Sequence, residues 1–220
     1  MTNKINSTIK NVPFIRNDQY NFIQFQIKNL VHAHLTTQDQ GVLNALKLSS
    51  LDKIYTLLPN INESQKALLN KVVSIEKDYQ AESFLSELKY YVTPFKNITE
   101  KTITKLFPKA KKLKGPPLEE IDFKEISYLG WYDIRSERKF LIVDYNGKLK
   151  GIQGSFQENN KGICSLCNHH EDIGLFMSKV KAGKETYTNR GNYICSDSHR
   201  CNQNLILLDG LNKFVELLRK

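Results

Sequence analysis

Two short stretches decide the reading of this chain: Gly162-Ile163-Cys164-Ser165-Leu166-Cys167-Asn168 and Tyr193-Ile194-Cys195-Ser196-Asp197-Ser198-His199-Arg200-Cys201. They hold all four cysteines of a 220-residue protein. The first pair is C-x2-C, then 27 residues intervene, and the second pair has five residues between its cysteines. Thiolates in such a pattern suit Zn²⁺, which prefers four ligands at tetrahedral corners. Two residues between cysteines let the backbone turn both sulfurs towards one ion, and Asn168 tolerates the tight turn that follows. The wider second pair fits if Cys195 ends a strand and Cys201 sits on the first turn of a helix.

His199 is a rival fourth ligand, so the residues alone leave two closed sites open: Cys164, Cys167 and Cys195 with either Cys201 or His199. Four thiolates are preferred, because Cys201 otherwise has no role. His169 and His170 follow the first pair too closely to share its ion and read as solvated turn residues. Two disulfides or four free thiols are the plain alternatives. Residues 1–16 lack the apolar core of a signal peptide, so an oxidising compartment is not expected and a cytoplasmic location is.

Thirty-two basic residues against 23 acidic give a net charge of +9. That favours a polyanionic neighbourhood such as RNA, a ribonucleoprotein or an acidic protein face, without establishing nucleic-acid contact. No apolar run is long enough to cross a bilayer. A G-x-x-x-x-G-K-[ST] loop, an H-E-x-x-H helix and a nucleophile elbow are all missing from the sequence. A closed thiolate site offers no open coordination position, so metal catalysis is not expected.

Upstream, the apolar period is helical. After a flexible lead-in over 1–16, Tyr20, Ile23, Ile27, Leu30 and Val31 recur at three- and four-residue steps, with Asn17 or Asp18 as cap. Further helices are expected over 41–58, with a break at Ser49-Ser50, from Asn62-Glu63 through Ile75, and over about 81–91. Pro59-Asn60 and Pro94 are stops. The stripes read as core, giving an antiparallel helical bundle over residues 1–94. Residues 95–220 form the second domain. It opens on a short helix through Ile103 and a lysine run, Lys105, Lys109, Lys111, Lys112 and Lys114, read as a solvated basic connector or a phosphate-binding patch.

From residue 126 the period shifts to two. Strands are expected over 126–131 and 139–143, then past Asn146-Gly147, a hairpin signal, through Leu149, Ile152 and Phe156. Trp131 reads as core. Short strands over 173–177 and 192–194 flank a polar loop, Lys181 to Arg190. One last helix carries Leu205, Leu208, Leu211, Val215 and Leu218. Knuckle, hairpin and helix with the final ligand make a treble-clef-like zinc site in a small α/β domain. The fold class is α+β.

These residues resemble the FusB/FusC-type fusidic-acid-resistance proteins. The likeness is carried by Ile126-Ser127-Tyr128-Leu129-Gly130-Trp131, Arg138-Lys139-Phe140, the two cysteine stretches, Gly174-Leu175-Phe176-Met177 and Cys201-Asn202. The resemblance implies a helical N-terminal domain, a treble-clef zinc domain holding one structural Zn²⁺, and no enzymatic activity. It implies one-to-one binding of elongation factor G, whose release from the fusidic-acid-stalled ribosome it promotes, a target protection that touches the ribosome only indirectly. It implies Cys164, Cys167, Cys195 and Cys201 as ligands, and places the partner-binding surface on Arg190, Tyr193 and Phe214. Arg190 stands where the family usually has lysine. From the residues alone Tyr193 reads as a half-buried strand residue and Phe214 as core; the resemblance reverses that order. A zinc-containing RNA- or ribosome-binding module is the alternative, and steep salt dependence is what would mark it.

Overall fold

The computed structural model describes residues 12–110, 113–183 and 185–219. Most of the lead-in, 1–11, and Lys111 and Lys112 of the lysine run lie outside the described residues. The chain divides into two compact units, 12–15 with Gln26–Thr93 and Arg16–Phe25 with Pro94–Lys220.

In the first unit, the helical stripes are buried as the period requires. Helix α1 spans Asn17–Thr36, and its second half buries Ile27, Leu30 and Val31. Helix α2, Gln40–Leu57, is capped by Asp39, whose carboxylate accepts from Gly41 N and Val42 N. It is continuous through Ser49-Ser50, because Ser50 is buried within it and Ile54 continues the stripe. Helix α3, Glu63–Asn70, opens on a capping box in which Asn62 and Gln65 satisfy each other's backbone N–H. A 3₁₀ turn, Lys71–Ser74, follows, and α4 spans Asp78–Lys89.

The end of the lead-in is ordered, contrary to expectation. Ile15 is fully buried and bridges Val92, and Phe14 N and Ile15 N donate to Tyr91 O. The reason is local: Phe14 and Ile15 are apolar, and Tyr91 O, just past α4, accepts from both backbone N–H groups. Phe14 meets Tyr91 edge to face, with centroids 5.7 Å apart.

The second unit is built on one five-stranded antiparallel meander, ordered β1-β2-β3-β4-β5. The strands are β1 Tyr128–Asp133, β2 Arg138–Tyr145, β3 Lys148–Ile163, β4 His170–Lys181 and β5 Tyr187–Cys195. Asn146 and Gly147 both take positive φ, 51° and 75°, which gives the tight turn between β2 and β3. The strands are longer than their apolar cores suggest. β5 begins at Tyr187, so residues 187–190, the last part of the polar stretch expected as a loop from 181 to 190, are strand, because an edge strand needs no apolar face to complete its ladder.

Each strand sends alternate residues to opposite faces. Phe140 and Ile142 of β2 pack with Ile103, Phe107 and Leu129, beneath helix α5, Glu100–Leu106. Trp131 stacks on Phe140 at 5.3 Å and 17°, half-buried at the rim of this cluster. Leu141 and Val143 face the other way, into a core shared with Phe176, Ile194, Leu211, Phe214 and the four cysteines.

The last helix is two helices: α6, Ser198–Asn204, and α7, Asp209–Leu217. Leu205 takes an extended conformation and is fully buried. Turning Leu205 into the core ends α6, and the chain restarts at Asp209-Gly210. A Cβ on Gly210 would lie 2.5 Å from Leu166 O, so glycine lets α7 begin hard against the first cysteine pair.

Candidate metal centre and the surface beside it

The first cysteine pair sits in the turn between β3 and β4. Asn168 has φ 59°, and Asn168 N donates to Cys164 O at 2.9 Å, closing the knuckle. Cys195 ends β5. Asp197 caps α6 by accepting from His199 N and Arg200 N, which delivers Cys201 to the first turn of that helix.

These elements bring the four Sγ atoms within 4.8 Å of one another, all buried. Cys164 and Cys201 sulfurs are 3.8 Å apart, and those of Cys167 and Cys195 are 3.7 Å apart. A disulfide needs about 2.05 Å, so all four are free thiols. A tetrahedron with Zn–S bonds of about 2.3 Å has edges of about 3.8 Å, which is the spacing of these two pairs. Leu166 N and Cys195 N both point at Cys164 Sγ, at 3.3 Å each. Backbone donors aimed at sulfur are what a thiolate requires.

The electrostatics agree. Hydrogen bonds from Cys167, Cys195 and Cys201 push the Cys164 thiol far down. Cys195 and Cys201 are pushed up, chiefly by Cys164 beside them. Without a cation the cluster favours thiolate at Cys164 and Cys167 at the expense of Cys195 and Cys201. A divalent ion would stabilise all four. The residues fit zinc.

His199 lies outside this cluster. It is exposed, and its Nε2 pairs with Gln203 Nε2 at 2.9 Å. His169 Nδ1 is 2.9 Å from Cys167 O, fixing the knuckle backbone rather than approaching the sulfurs.

The three residues expected on a partner surface are placed differently from one another. Tyr193 is 39% exposed on β5, which lies at the edge of the sheet. Its carbonyl accepts from Ser165 N and Ser165 Oγ, which ties that edge to the knuckle. Arg190, three residues earlier and hence on the opposite face of the same strand, donates from Nη1 to Leu217 O at 3.2 Å. It lines a cleft with Tyr145, Lys213, Glu216, Leu217 and Arg219. Phe214 is only 3% exposed and meets Phe176 edge to face at 5.4 Å. Phe214 is therefore a core residue in this structure: the apolar face of α7 turns it inward.

Sequence reasoning missed three residues around the cluster. Asn202, Tyr128 and Lys139 are each buried to 1% exposure. The strand period was a signal for Lys139, since it places this lysine on the same face as Leu141 and Val143.

Knuckle, β-hairpin and a short helix carrying the last cysteine define a treble-clef zinc-finger domain, here following a helical unit. The family model described as "Elongation factor G-binding protein, N-terminal" matches residues 14–96. The one described as "FBP C-terminal treble-clef zinc-finger" matches residues 104–208. No curated protein matches the chain. Among solved structures it is similar to the fusidic acid resistance protein FusC, at 33% identity and a TM-score of 0.81, over 96% of this chain and 100% of that one. The chain belongs to the FusB/FusC-type family of elongation factor G-binding proteins.

Proposed function

We propose that this protein binds elongation factor G one-to-one and promotes its release from the ribosome stalled by fusidic acid, giving resistance by target protection. The observation that carries the reading is the likeness to FusC, at 33% identity over 96% of the chain, with both family models matched in order. The protein acts by binding rather than by catalysis, in the cytoplasm, and meets the ribosome through its partner. No helix among the described residues is long and apolar enough to cross a membrane.

Cys164, Cys167, Cys195 and Cys201 hold one structural Zn²⁺ in this reading. The ion supplies a rigid cross-link between the knuckle, the end of β5 and α6. A domain of residues 95–220 built around it presents the edge of β5, and the bundle domain covers residues 1–94.

The partner reads Tyr193 and Arg190 from the two faces of that edge. An aromatic anchor and an arginine on one exposed edge strand have the composition of an interface hot spot. Phe214 contributes from beneath, by holding α7 and hence the cleft that Arg190 lines. A binder shifts an equilibrium only by its differential affinity for the two states. Release therefore requires tighter binding to the freed or rearranged factor than to the drug-locked one. Comparing the affinity for isolated elongation factor G with that for the fusidic-acid-stalled complex tests this; equal affinities would sink the release mechanism.

The second reading is a zinc-containing RNA- or ribosome-binding module, for which the exposed Lys105, Lys109 and Lys114 speak. Phosphate contacts by several lysines would make binding fall steeply with salt. A mixed aromatic and polar protein interface falls less.

A further inference from the structure

The core around the cysteines contains a charge that no ion pair explains. Lys139 alternates with Leu141 and Val143 on β2 and faces the cysteine side of the sheet. It is 1% exposed. Burying an ammonium is costly unless an opposite charge compensates it. Among the described residues no carboxylate lies within ion-pair distance of Nζ. Nζ instead donates to Ser196 O at 2.6 Å, on the main chain just after Cys195. It also stands 4.7 Å from the centre of the Phe156 ring. Neither contact supplies a full negative charge. Burial lowers the Lys139 pKa, and the charges that oppose the fall are, in order, Cys201, Cys195, the Asp197 carboxylate beyond ion-pair distance, and Cys164, so three of the four are sulfurs.

A second orphan stands on the same side. The Tyr128 hydroxyl is fully buried with no hydrogen-bond partner, and so is Ser198 Oγ. Burial first, then the neighbouring Cys201, push the Tyr128 pKa up. Two groups stand beside that hydroxyl, Cys201 and the Ser198 hydroxyl, and of the two a metal-bound thiolate sulfur is the one that carries negative charge to accept its proton. Four thiolates around a dication carry a net charge of −2. A core otherwise lined by Leu141, Val143 and Phe176 holds such a charge only with a counter-charge close by.

We propose that Lys139 is the charge-balancing positioning residue of the metal centre, pinning the Cys195–Asp197 turn through Ser196 O, and that the Tyr128 hydroxyl donates to Cys201 when its sulfur is metal-bound. The inference rests on the zinc reading above. It extends it from four ligands to the groups that decide how firmly they hold the ion. Partners of this kind typically change metal affinity by about 10–100-fold when removed.

The test uses the full chain. Lys139→Met keeps an unbranched side chain of similar length and removes the charge. Zinc affinity is measured by competition with a chromophoric chelator, and the sulfur-to-metal charge-transfer band is recorded on the cobalt-substituted protein. The expected result is a loss of affinity of about tenfold or more, with the band moved to longer wavelength because the thiolates become more electron-rich. Tyr128→Phe, which removes one oxygen, should move both readouts the same way by less. Affinity within twofold of wild type, or a loss of affinity with the band unmoved, overturns the proposal. If Lys139→Met does not fold, Tyr128→Phe decides by the same two criteria. Wild-type protein that takes up neither ion overturns the zinc reading itself, and is seen before any variant is made.

Discussion

The side-chain amide of Asn202 pairs with the backbone of Tyr128 as a neighbouring strand residue would. Asn202 Oδ1 accepts from Tyr128 N at 3.2 Å and Nδ2 donates to Tyr128 O at 2.9 Å. The same amide also accepts from Ser127 N at 2.7 Å and donates to Ser198 O at 2.9 Å. On the main-chain side, Asn202 O accepts from Asn21 Nδ2 at 2.7 Å. One side chain next to the last cysteine thus fastens α6 to the start of the sheet.

Replacing Asn202 should therefore damage the fold more than its single position suggests. Asn202→Ala removes four hydrogen bonds, three of them buried, and takes the side-chain amide away from the backbone groups of Ser127, Tyr128 and Ser198. At roughly 1 kcal/mol per bond plus the cost of unmet polar groups, the expected loss is about 3–5 kcal/mol. Asn202→Asp should also destabilise, because a carboxylate cannot donate to Tyr128 O and Ser198 O. Urea unfolding monitored at Trp131 would measure both.

Gly191 is the position where the sheet tolerates least. A Cβ there would fall 1.7 Å from Phe176 O, inside the partner strand's backbone. Because the obstacle is main chain, relief requires β5 to move away from β4. Gly191→Ala should cost more than about 3 kcal/mol, in the range reserved for overpacked sites with no room to relax. A thermal melt close to that of wild type would show that β5 lies otherwise.

Metal removal should act on one part of the protein. The cluster joins the knuckle, β5 and α6, so a strong chelator should abolish hydrogen-exchange protection first in 164–168 and 190–204. Metal-linked folding energy in small zinc domains reaches about 10 kcal/mol or more. Uniform protection with and without chelator would contradict a structural ion.

Arg190, Tyr193 and Phe214 should separate into two classes. Tyr193→Ala and Arg190→Ala should weaken binding of elongation factor G by about 1–3 kcal/mol each, with stability nearly unchanged. Phe214→Ala should instead cost about 3–5 kcal/mol of stability. Any loss of binding should follow unfolding. Calorimetry paired with thermal melts on the three variants distinguishes them.

The zinc domain was legible because its chemistry is local. Four cysteines, an Asn-Gly turn and an asparagine at positive φ each dictate a geometry within a few residues. Asn62 announced α3 for the same reason. What stayed hidden depends on packing. Phe214 and Tyr193 are both aromatic residues in the family's expected surface, yet the apolar face of α7 buries one while the sheet edge exposes the other. The length of β5 was hidden because an edge strand can be polar on both faces. Lys139 was hidden because a lysine in a strand reads as solvent-facing until the partner layer is known. Leu205 split the last helix by turning inward, which no helical period foretells.

The measurement that tests the central claim most directly is titration of purified elongation factor G into the zinc-loaded protein by calorimetry at two salt concentrations. The account predicts one-to-one binding that persists at the higher salt. No binding at either concentration would contradict it. Binding that collapses steeply with salt would move the case to the RNA- or ribosome-binding alternative.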